Sequence, residues 1–313
     1  MRLSLVTDSL GALPFEKMLD EAASLGFEGL EICTGNWSRA PHLPLDELLS
    51  SESKRKAFAQ ALGARGLAIE ALNCSGNQLA PNEEGEAHGL VVDKTFRLAG
   101  LLGVRKIVMM SGLPGGGPGE RLPNWITTSW PPRNTEILEW QWNEVAIPYW
   151  RKVVAAASDN GVERIALENH GCQLVYNVSS ALRLRDAVGD RIGMNLDPSH
   201  LFWMGGDPIA AARALGPALY HVHAKDVRIE SGLAAVDGLL DTRTVDRYAS
   251  RAWNYVAVGH GHDERWWKEF IAVLRMGGYD GTVSLEMEDL SMDPILGIRR
   301  SLRVLKEAWP SAI

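Results

Sequence analysis

Four short segments of the chain end in side chains that bind cations or carry protons. They are Ile165-Ala-Leu-Glu168-Asn-His170, Asn195-Leu-Asp197-Pro-Ser-His200, Tyr220-His-Val-His223-Ala-Lys225-Asp226 and Val283-Ser-Leu-Glu286-Met-Glu-Asp289. Each starts as an apolar run suited to a strand and turns polar at its carboxyl end. In the second, Pro198 cannot donate to a ladder and disfavours helix at the residue before it, so the strand is expected to stop there. Side chains alternate faces along a strand. Glu168 therefore shares a face with Ala166 and His170, Asp197 with Gly193 and Asn195, His223 with His221 and Lys225, and Glu286 with Ser284 and Glu288. The apolar alternates, Ile165, Leu167, Met194 and Leu196 among them, suit a covering layer of helices. If the four ends meet, Glu168, Asp197, His223 and Glu286 place three carboxylates and one imidazole at one rim. Such a cluster repels itself unless a cation sits within it. One divalent ion is expected, with Mn²⁺ the leading choice and Mg²⁺, Co²⁺ or Zn²⁺ as alternatives, because oxygen-rich sets with one imidazole suit these ions.

Taken singly, each of these residues has an ordinary role open to it. A Glu or Asp at a strand end commonly caps a helix or holds a salt bridge. His221 reads as a hydrogen-bonded interior residue, Glu288 and Asp289 as capping or solvated groups, and Glu31 as structural. The argument for a metal rests on the four ends together.

The elements that must position them follow from periodicity and stop signals. Strands are expected at Leu3–Thr7, Leu30–Thr34, Ala68–Cys74, Arg105–Met110, Arg164–Glu168, Ile192–Asp197, Leu219–His223 and Thr282–Glu286. Helices are expected at Pro14–Leu25, Asp46–Ala64, His88–Leu102, Asn143–Asn160, Ser179–Ala187, Asp207–Leu215, Glu264–Met276 and Pro294–Ala308. Alternating apolar strands and helices argue for a parallel sheet covered by helices, and eight such units argue for a closed (β/α)8 TIM barrel. A doubly wound open sheet is the alternative, weakened by the lack of Gly-x-Gly-x-x-Gly after the first strand. No linker divides the chain, so residues 1–313 are expected to form one domain. Long loops follow strand four (Ser111–Trp142) and strand seven (Val227–His262). Connections of that length are usually functional. The first is expected to cover the rim, with Gly115–Gly119 as a flexible segment.

Composition limits the classes. Hydrophobic residues make up 46% and charged residues 23% of 313, with a net charge of −7, which disfavours a protein built to grip nucleic acid. Three scattered cysteines give no disulfide frame or zinc-ribbon spacing, and a reducing cytoplasm is the expected location. No signal peptide or membrane-spanning stretch is visible.

The order Glu … Asp-x-x-His … His-x-Lys-Asp … Glu resembles the xylose-isomerase-like barrel superfamily, in its sugar isomerase/epimerase branch. The resemblance runs from Leu3-Ser-Leu-Val-Thr7 through Gly29-Leu30-Glu31 and Gly278-Tyr279-Asp280-Gly281 to Glu286. It implies that Glu168, Asp197, His223 and Glu286 hold one divalent metal and that Glu168 and Glu286 also act as the acid/base pair. It implies that His200 contacts substrate, and it sets Arg228 near where epimerases carry a substrate-binding Arg. The endonuclease branch holds three zinc ions with extra His at the ends of strands three and four. Here those strands end in Asn73-Cys74-Ser75 and Met110-Ser111-Gly112, so the DNA-repair alternative lacks its ligands.

The implied activity is a metal-dependent sugar isomerase or epimerase. One Glu removes a proton beside a carbonyl, an enediolate forms at the metal, and the other Glu returns a proton. Lys225 or His200 would stabilise the developing oxyanion. The rival is a lyase that cleaves 3-oxo glycosides, or dehydrates an inosose, by β-elimination. For it, His170 or His260 is the candidate extra base. Trp125, Trp130, Trp140 and Trp142 would stack on an aglycone or else form a satellite core under the loop, and Trp142 is taken as a substrate contact. A third possibility is a non-catalytic barrel that binds a sugar or a partner. The expected ligand is a small carbohydrate, and a homo-oligomer or a small second subunit is open.

Overall fold

The computed structural model describes residues 1–309. Ten strands form among the described residues: β1 (Arg2–Val6), β2 (Gly29–Cys33), β3 (Ala68–Asn73), β4 (Lys106–Met109), β5 (Arg164–Glu168), β6 (Ile192–Leu196), β7 (Leu219–Ala224), β8 (Asp226–Ile229), β9 (Trp253–Val256) and β10 (Thr282–Leu285). Eight of them close into a parallel barrel in the order β1-β10-β7-β6-β5-β4-β3-β2. These eight sit where the apolar runs place them, within one or two residues. The barrel therefore rests on alternation. Leu5, Leu30, Leu72, Ile107, Ile165, Leu167, Met194 and Val283 are all fully buried and face outward into the core shared with the helices. Met18, Phe96, Trp150, Trp267 and Phe270 meet them from the helix layer. The opposite alternates fill the barrel lumen with small or polar groups. Ser4 pairs with Ser284 in register, and their hydroxyls are 2.5 Å apart. Gly193 is needed for space: a Cβ there would lie 2.3 Å from the ring of Tyr220, which fills the lumen below the site.

Helix ends follow capping chemistry. Helix 15–25 stops at Gly26 (φ 84°) and helix 83–102 at Gly103 (φ 71°), the left-handed positions that glycine adopts without strain. Asn82, Asn177, Asp263 and Asp293 cap the starts of their helices with side-chain oxygens. No helix among the described residues is long and apolar enough to cross a membrane.

Several features differ from the sequence expectation, among them the break of the expected helix Asp46–Ala64 at Ser51 into Leu45–Ser50 and Glu52–Gly63. The helix after the first insertion begins at Arg133 rather than Asn143, directly after Pro131-Pro132. It continues through a π segment, Gln141–Ala146, into helix Ile147–Asp159. A short helix, Pro198–Met204, follows Asp197 at once, with Pro198 in its first turn, where a missing N–H costs nothing. The second insertion is not a bare loop: β8 and β9 pair antiparallel as a hairpin over the rim. The Gly115–Gly119 segment is also held rather than loose at its start. The amide of buried Gln141 donates to the carbonyls of Gly115 (3.0 Å) and Asn124 (2.7 Å), and Gly116 N–H donates to Glu120.

Candidate metal centre

Glu168 is the last residue of β5, Asp197 follows β6, His223 lies in β7 and Glu286 follows β10. All four strand ends converge: one ligand atom from each lies within 4.8 Å of the others. Local structure aims these atoms. Asp197 caps helix 198–204, and its Oδ1 accepts the N–H of Ser199 at 2.8 Å, which leaves Oδ2 free. His223 Nδ1 is 3.0 Å from Glu286 Oε2, 3.6 Å from Glu168 Oε2 and 3.9 Å from Asp197 Oδ2. Asp197 Oδ2, His223 Nδ1 and Glu286 Oε2 are buried and have no hydrogen-bond partner. An orphaned buried polar atom costs about 1–3 kcal/mol. Three of them facing one point, with a fourth carboxylate beside them, fit a divalent cation that all four would share.

The charges agree with this fit. Burial, with Glu286 and Asp197 nearby, pushes Glu168 well above the usual carboxylate range. Burial also lifts Asp197 to about 6. Burial would raise Glu286 too, but Lys225 and His223 bring it down to about 2. Burial thus works against the charged forms of Glu168 and Asp197, and a dication among the three carboxylates would favour them.

A second set of residues orients the first. Glu31, in β2, is fully buried. Its oxygens lie 3.2 Å from His223 Nε2, 2.7 Å from His221 Nε2 and 2.6 Å from Asn73 Nδ2. The His223 Nε2–H therefore donates to Glu31, and the Nδ1 lone pair is presented to the centre, the carboxylate–histidine arrangement that fixes a metal-ligating tautomer. Burial opposes the Glu31 charge, yet His223 and His221 hold it well below the ordinary value. His221 also meets Ser284 Oγ at 2.9 Å, so it braces the lumen. Asn169 clips the ends of β5 and β6 together: its Oδ1 accepts the N–H of Asp197 and its Nδ2 donates to the Asp197 carbonyl, both at 2.9 Å.

His200 projects from helix 198–204 onto the same corner. Its Nδ1 accepts from the indole N–H of Trp203 at 3.4 Å, and an indole only donates. The proton therefore sits on Nε2, which donates to Glu168 Oε1 at 3.1 Å. His170 has the opposite tautomer. Its Nδ1 lies 2.5 Å from the Gly171 carbonyl, which only accepts, so Nε2 keeps a free lone pair. Burial lowers His170 to about 4, so the ring is neutral near pH 7.

A cavity of about 230 Å³ opens over the centre, lined among others by Glu168, His170, Lys225, Tyr255, Glu286 and Glu288. Burial disfavours the charge of Lys225, but Glu286 and Glu288 raise it well above the usual value. Its Nζ is 2.5 Å from Glu288, 3.4 Å from Glu286 and 4.4 Å from the centre of the Tyr255 ring.

Three expected substrate contacts are elsewhere. Trp142 is 3% exposed in the helix-packed core, under the guanidinium of Arg183 at 4.7 Å, because the continuous helix turns it inward. Arg228 pairs with Glu230 at 2.7 Å on the far face of the hairpin. Alternation explains this: Tyr255, opposite Val227, faces the cavity, so Arg228 and its partner Asn254 face away. His260 is exposed in the turn after β9. That turn is organised by Asp226, which accepts from the N–H groups of Gly259, Gly261 and His262. Sequence reasoning missed Tyr255, Asn169 and Trp203, which carry no motif. The polar run Glu168-Asn-His170 was the one signal available for Asn169.

The chain belongs to the xylose isomerase-like TIM barrel family, whose profile matches residues 19–308. It is 62% identical over 309 residues to the uncharacterized protein YfiH of Bacillus subtilis (strain 168), covering 98% of this chain and 99% of that one. In structure it resembles the probable 3-DHS dehydratase AsbF of Bacillus anthracis, with a TM-score of 0.69 at 19% identity over 98% of this chain and 99% of the other. It also resembles a D-tagatose 3-epimerase-like protein, with a TM-score of 0.63 at 18% identity over 98% and 99% of the two chains.

Proposed function

We propose that this protein is a divalent-metal-dependent enzyme that removes a proton beside the carbonyl of a sugar or polyol, in the manner of a sugar isomerase or epimerase. The observation that carries this reading is the convergence of the unpartnered Asp197 Oδ2, His223 Nδ1 and Glu286 Oε2 on one point beside Glu168. Glu168, Asp197, His223 and Glu286 would hold the ion, which supplies Lewis acidity toward a bound carbonyl oxygen. Glu286 is the more open carboxylate, 18% exposed against 4% for Glu168, and is free of the His200 bond. It takes the proton from the carbon. The Lys225 ammonium donates to the oxygen on which charge develops. Glu168, oriented by His200 Nε2–H, returns a proton to the opposite face or to the adjacent carbon.

The fold is shared with a probable dehydratase and an epimerase-like protein, so it does not choose the outcome. A second reading shares the first step. If a group sits on the carbon next to the one that loses its proton, it leaves by β-elimination, and the protein is a lyase on oxidised sugars. The free Nε2 of His170 favours keeping this reading, because it places another proton acceptor at the cavity.

The test is incubation with Mn²⁺ in D₂O and a panel of ketoses, inososes and 3-oxo glycosides. Deuterium is expected at the carbon beside the carbonyl, and the product separates epimer, isomer and elimination. If no panel member exchanges although Mn²⁺ is bound, the proton-transfer reading fails.

A further inference from the structure

Four rings form an arc around the metal cavity. Centre to centre, Trp37 is 6.1 Å from His170, His170 is 4.1 Å from His200, and His200 is 5.8 Å from Tyr255. Three of the four are already engaged. His200 holds Glu168, His170 bonds the Gly171 carbonyl, and the Tyr255 ring lies against the Lys225 ammonium. Trp37 lines the cavity, lies outside the hydrophobic core and is 48% exposed, the most open ring of the arc. Its backbone, by contrast, is firmly placed. The Trp37 N–H donates to the Ser75 carbonyl at 3.1 Å, and Asn36 Nδ2 donates to the Cys74 carbonyl at 2.8 Å. Asn36 has φ 66°, a left-handed conformation that Asn adopts more readily than most residues. Gly76 lets the two loops approach, since a Cβ there would lie 2.7 Å from Asn36 Cβ. The segments after β2 and β3 are thus locked together and hold an indole at the cavity mouth that core packing does not use. Charge at the mouth is a second, independent observation. The charged side chains lining the cavity are Asp8, Glu168, Glu286, Glu288 and one cation, Lys225. Lys225 is itself shared between Glu288 at 2.5 Å and Glu286 at 3.4 Å. A dication together with Lys225 would offset Glu168, Asp197 and Glu286. Asp8, exposed just after β1, and Glu288 then remain as negative charge in excess. Ionised carboxylates only accept hydrogen bonds, so they suit hydroxyl groups and repel an anion. An open indole face suits the C–H face of a sugar or cyclitol, whose hydroxyls point away from it.

Resting on the proposed function, we infer that the substrate is an uncharged polyhydroxylated compound, with its C–H face laid on Trp37 and its outer hydroxyls donating to Asp8 and Glu288, and that phosphorylated or carboxylated sugars are turned away at the mouth. Trp37 is then a binding residue for this reaction and Asp8 a specificity residue. The deuterium-exchange assay tests this when each neutral member of the panel is set beside its phosphate ester, D-fructose beside D-fructose 6-phosphate among them. kcat/KM for exchange is expected to be higher for the neutral member by on the order of tenfold or more. Trp37→Ala should raise KM for that member about tenfold with kcat little changed, and Trp37→Phe should recover most of the loss, a split that a purely structural role would not give. Asp8→Asn should narrow the gap between the neutral and phosphorylated members. An unchanged gap would overturn the role given to Asp8. Equal or faster exchange of the phosphate ester, or an unchanged KM in Trp37→Ala, would overturn the inference and leave the proton-transfer reading standing. Failure of that reading has its own signature: no panel member exchanges on the Mn²⁺-loaded wild type, and the inference falls with it.

Discussion

The barrel strand ends and the two insertions make opposite use of their side chains. At the ends of β5, β6, β7 and β10, backbone alternation puts Glu168, Asp197, His223 and Glu286 on the lumen side, and short local bonds aim them at one point. In the insertions, tertiary packing decides. The first insertion leads into a helix that buries Trp142 in the core, whereas the second folds into a hairpin that delivers Tyr255 to the cavity. Both carry aromatics, and the aromatics serve different ends. The strand ends thus hold the candidate metal ligands, and the second insertion helps wall the cavity above them.

Substitutions at the strand ends sharpen this comparison most. Glu286→Gln keeps the shape and one ligating oxygen but removes the base. Deuterium exchange should fall by about 10² to 10⁴, the usual range for acid/base catalysis, with thermal stability little changed. Glu168→Gln should lose net inversion by a similar factor. If both variants exchange normally with metal bound, neither Glu is the base, and His170 becomes the candidate.

Next in size is Trp142→Ala. Its indole is packed in the core, so a loss of about 3–5 kcal/mol in unfolding free energy is expected, with substrate affinity of the folded protein unchanged. Tyr255→Ala should reverse the pattern, raising KM with a smaller loss of stability. Matching effects from the two variants would break the contrast between the insertions.

Glu31→Gln probes the support beneath the strand ends. It keeps the volume but removes the charge that orients His223. Metal affinity should drop by about 10- to 100-fold, as is typical for outer partners of a ligating histidine. An unchanged affinity would reduce Glu31 to a packing role.

The smallest effect concerns pH. In metal-free protein, burial raises Asp197 from its ordinary value of 3.8 to about 6, so the folded state binds a proton that the unfolded state releases. That stability is present below about pH 3.8 and is lost as pH rises through about 6. Glu168, raised in the same direction, adds to the loss. Buried His170, lowered to about 4, works in the opposite sense over pH 5 to 7, so the Asp197 contribution is read as a difference between wild type and Asp197→Asn. Chelated wild type should lose stability relative to Asp197→Asn from pH 5 to 7, and added Mn²⁺ should stabilise the wild type more at pH 7 than at pH 5. Denaturant midpoints of both proteins at the two pH values measure this, and an identical pH dependence in the two would contradict the assigned environment of Asp197.

These contrasts also mark how far the sequence can be read. The eight barrel strands were legible because apolar runs with period-two alternation leave few alternatives, and the same period placed the four candidate ligands on the lumen side. Helix Pro198–Met204 was not legible: Pro198 signalled the end of a strand equally well, and only the bond from Ser199 to Asp197 reveals a cap. Trp142 was misplaced because the Pro131-Pro132 pair marks a loop locally, while the helix that follows it is set by packing against the barrel. Arg228 and His260 were misplaced because a hairpin in a polar insertion carries no strong alternation, and which side faces inward depends on Tyr255 meeting Lys225. Glu31 was legible as structural. What it supports became visible only when β2 was brought beside the imidazoles of β7.

The central claim is a metal centre built from the four strand ends. Calorimetric titration of Mn²⁺ into chelator-treated protein, in wild type and in His223→Ala, tests it most directly. One ion per chain is predicted for the wild type, with that binding lost in the variant and the far-ultraviolet circular dichroism preserved. Absence of binding in the wild type, or equal binding in His223→Ala, would contradict it.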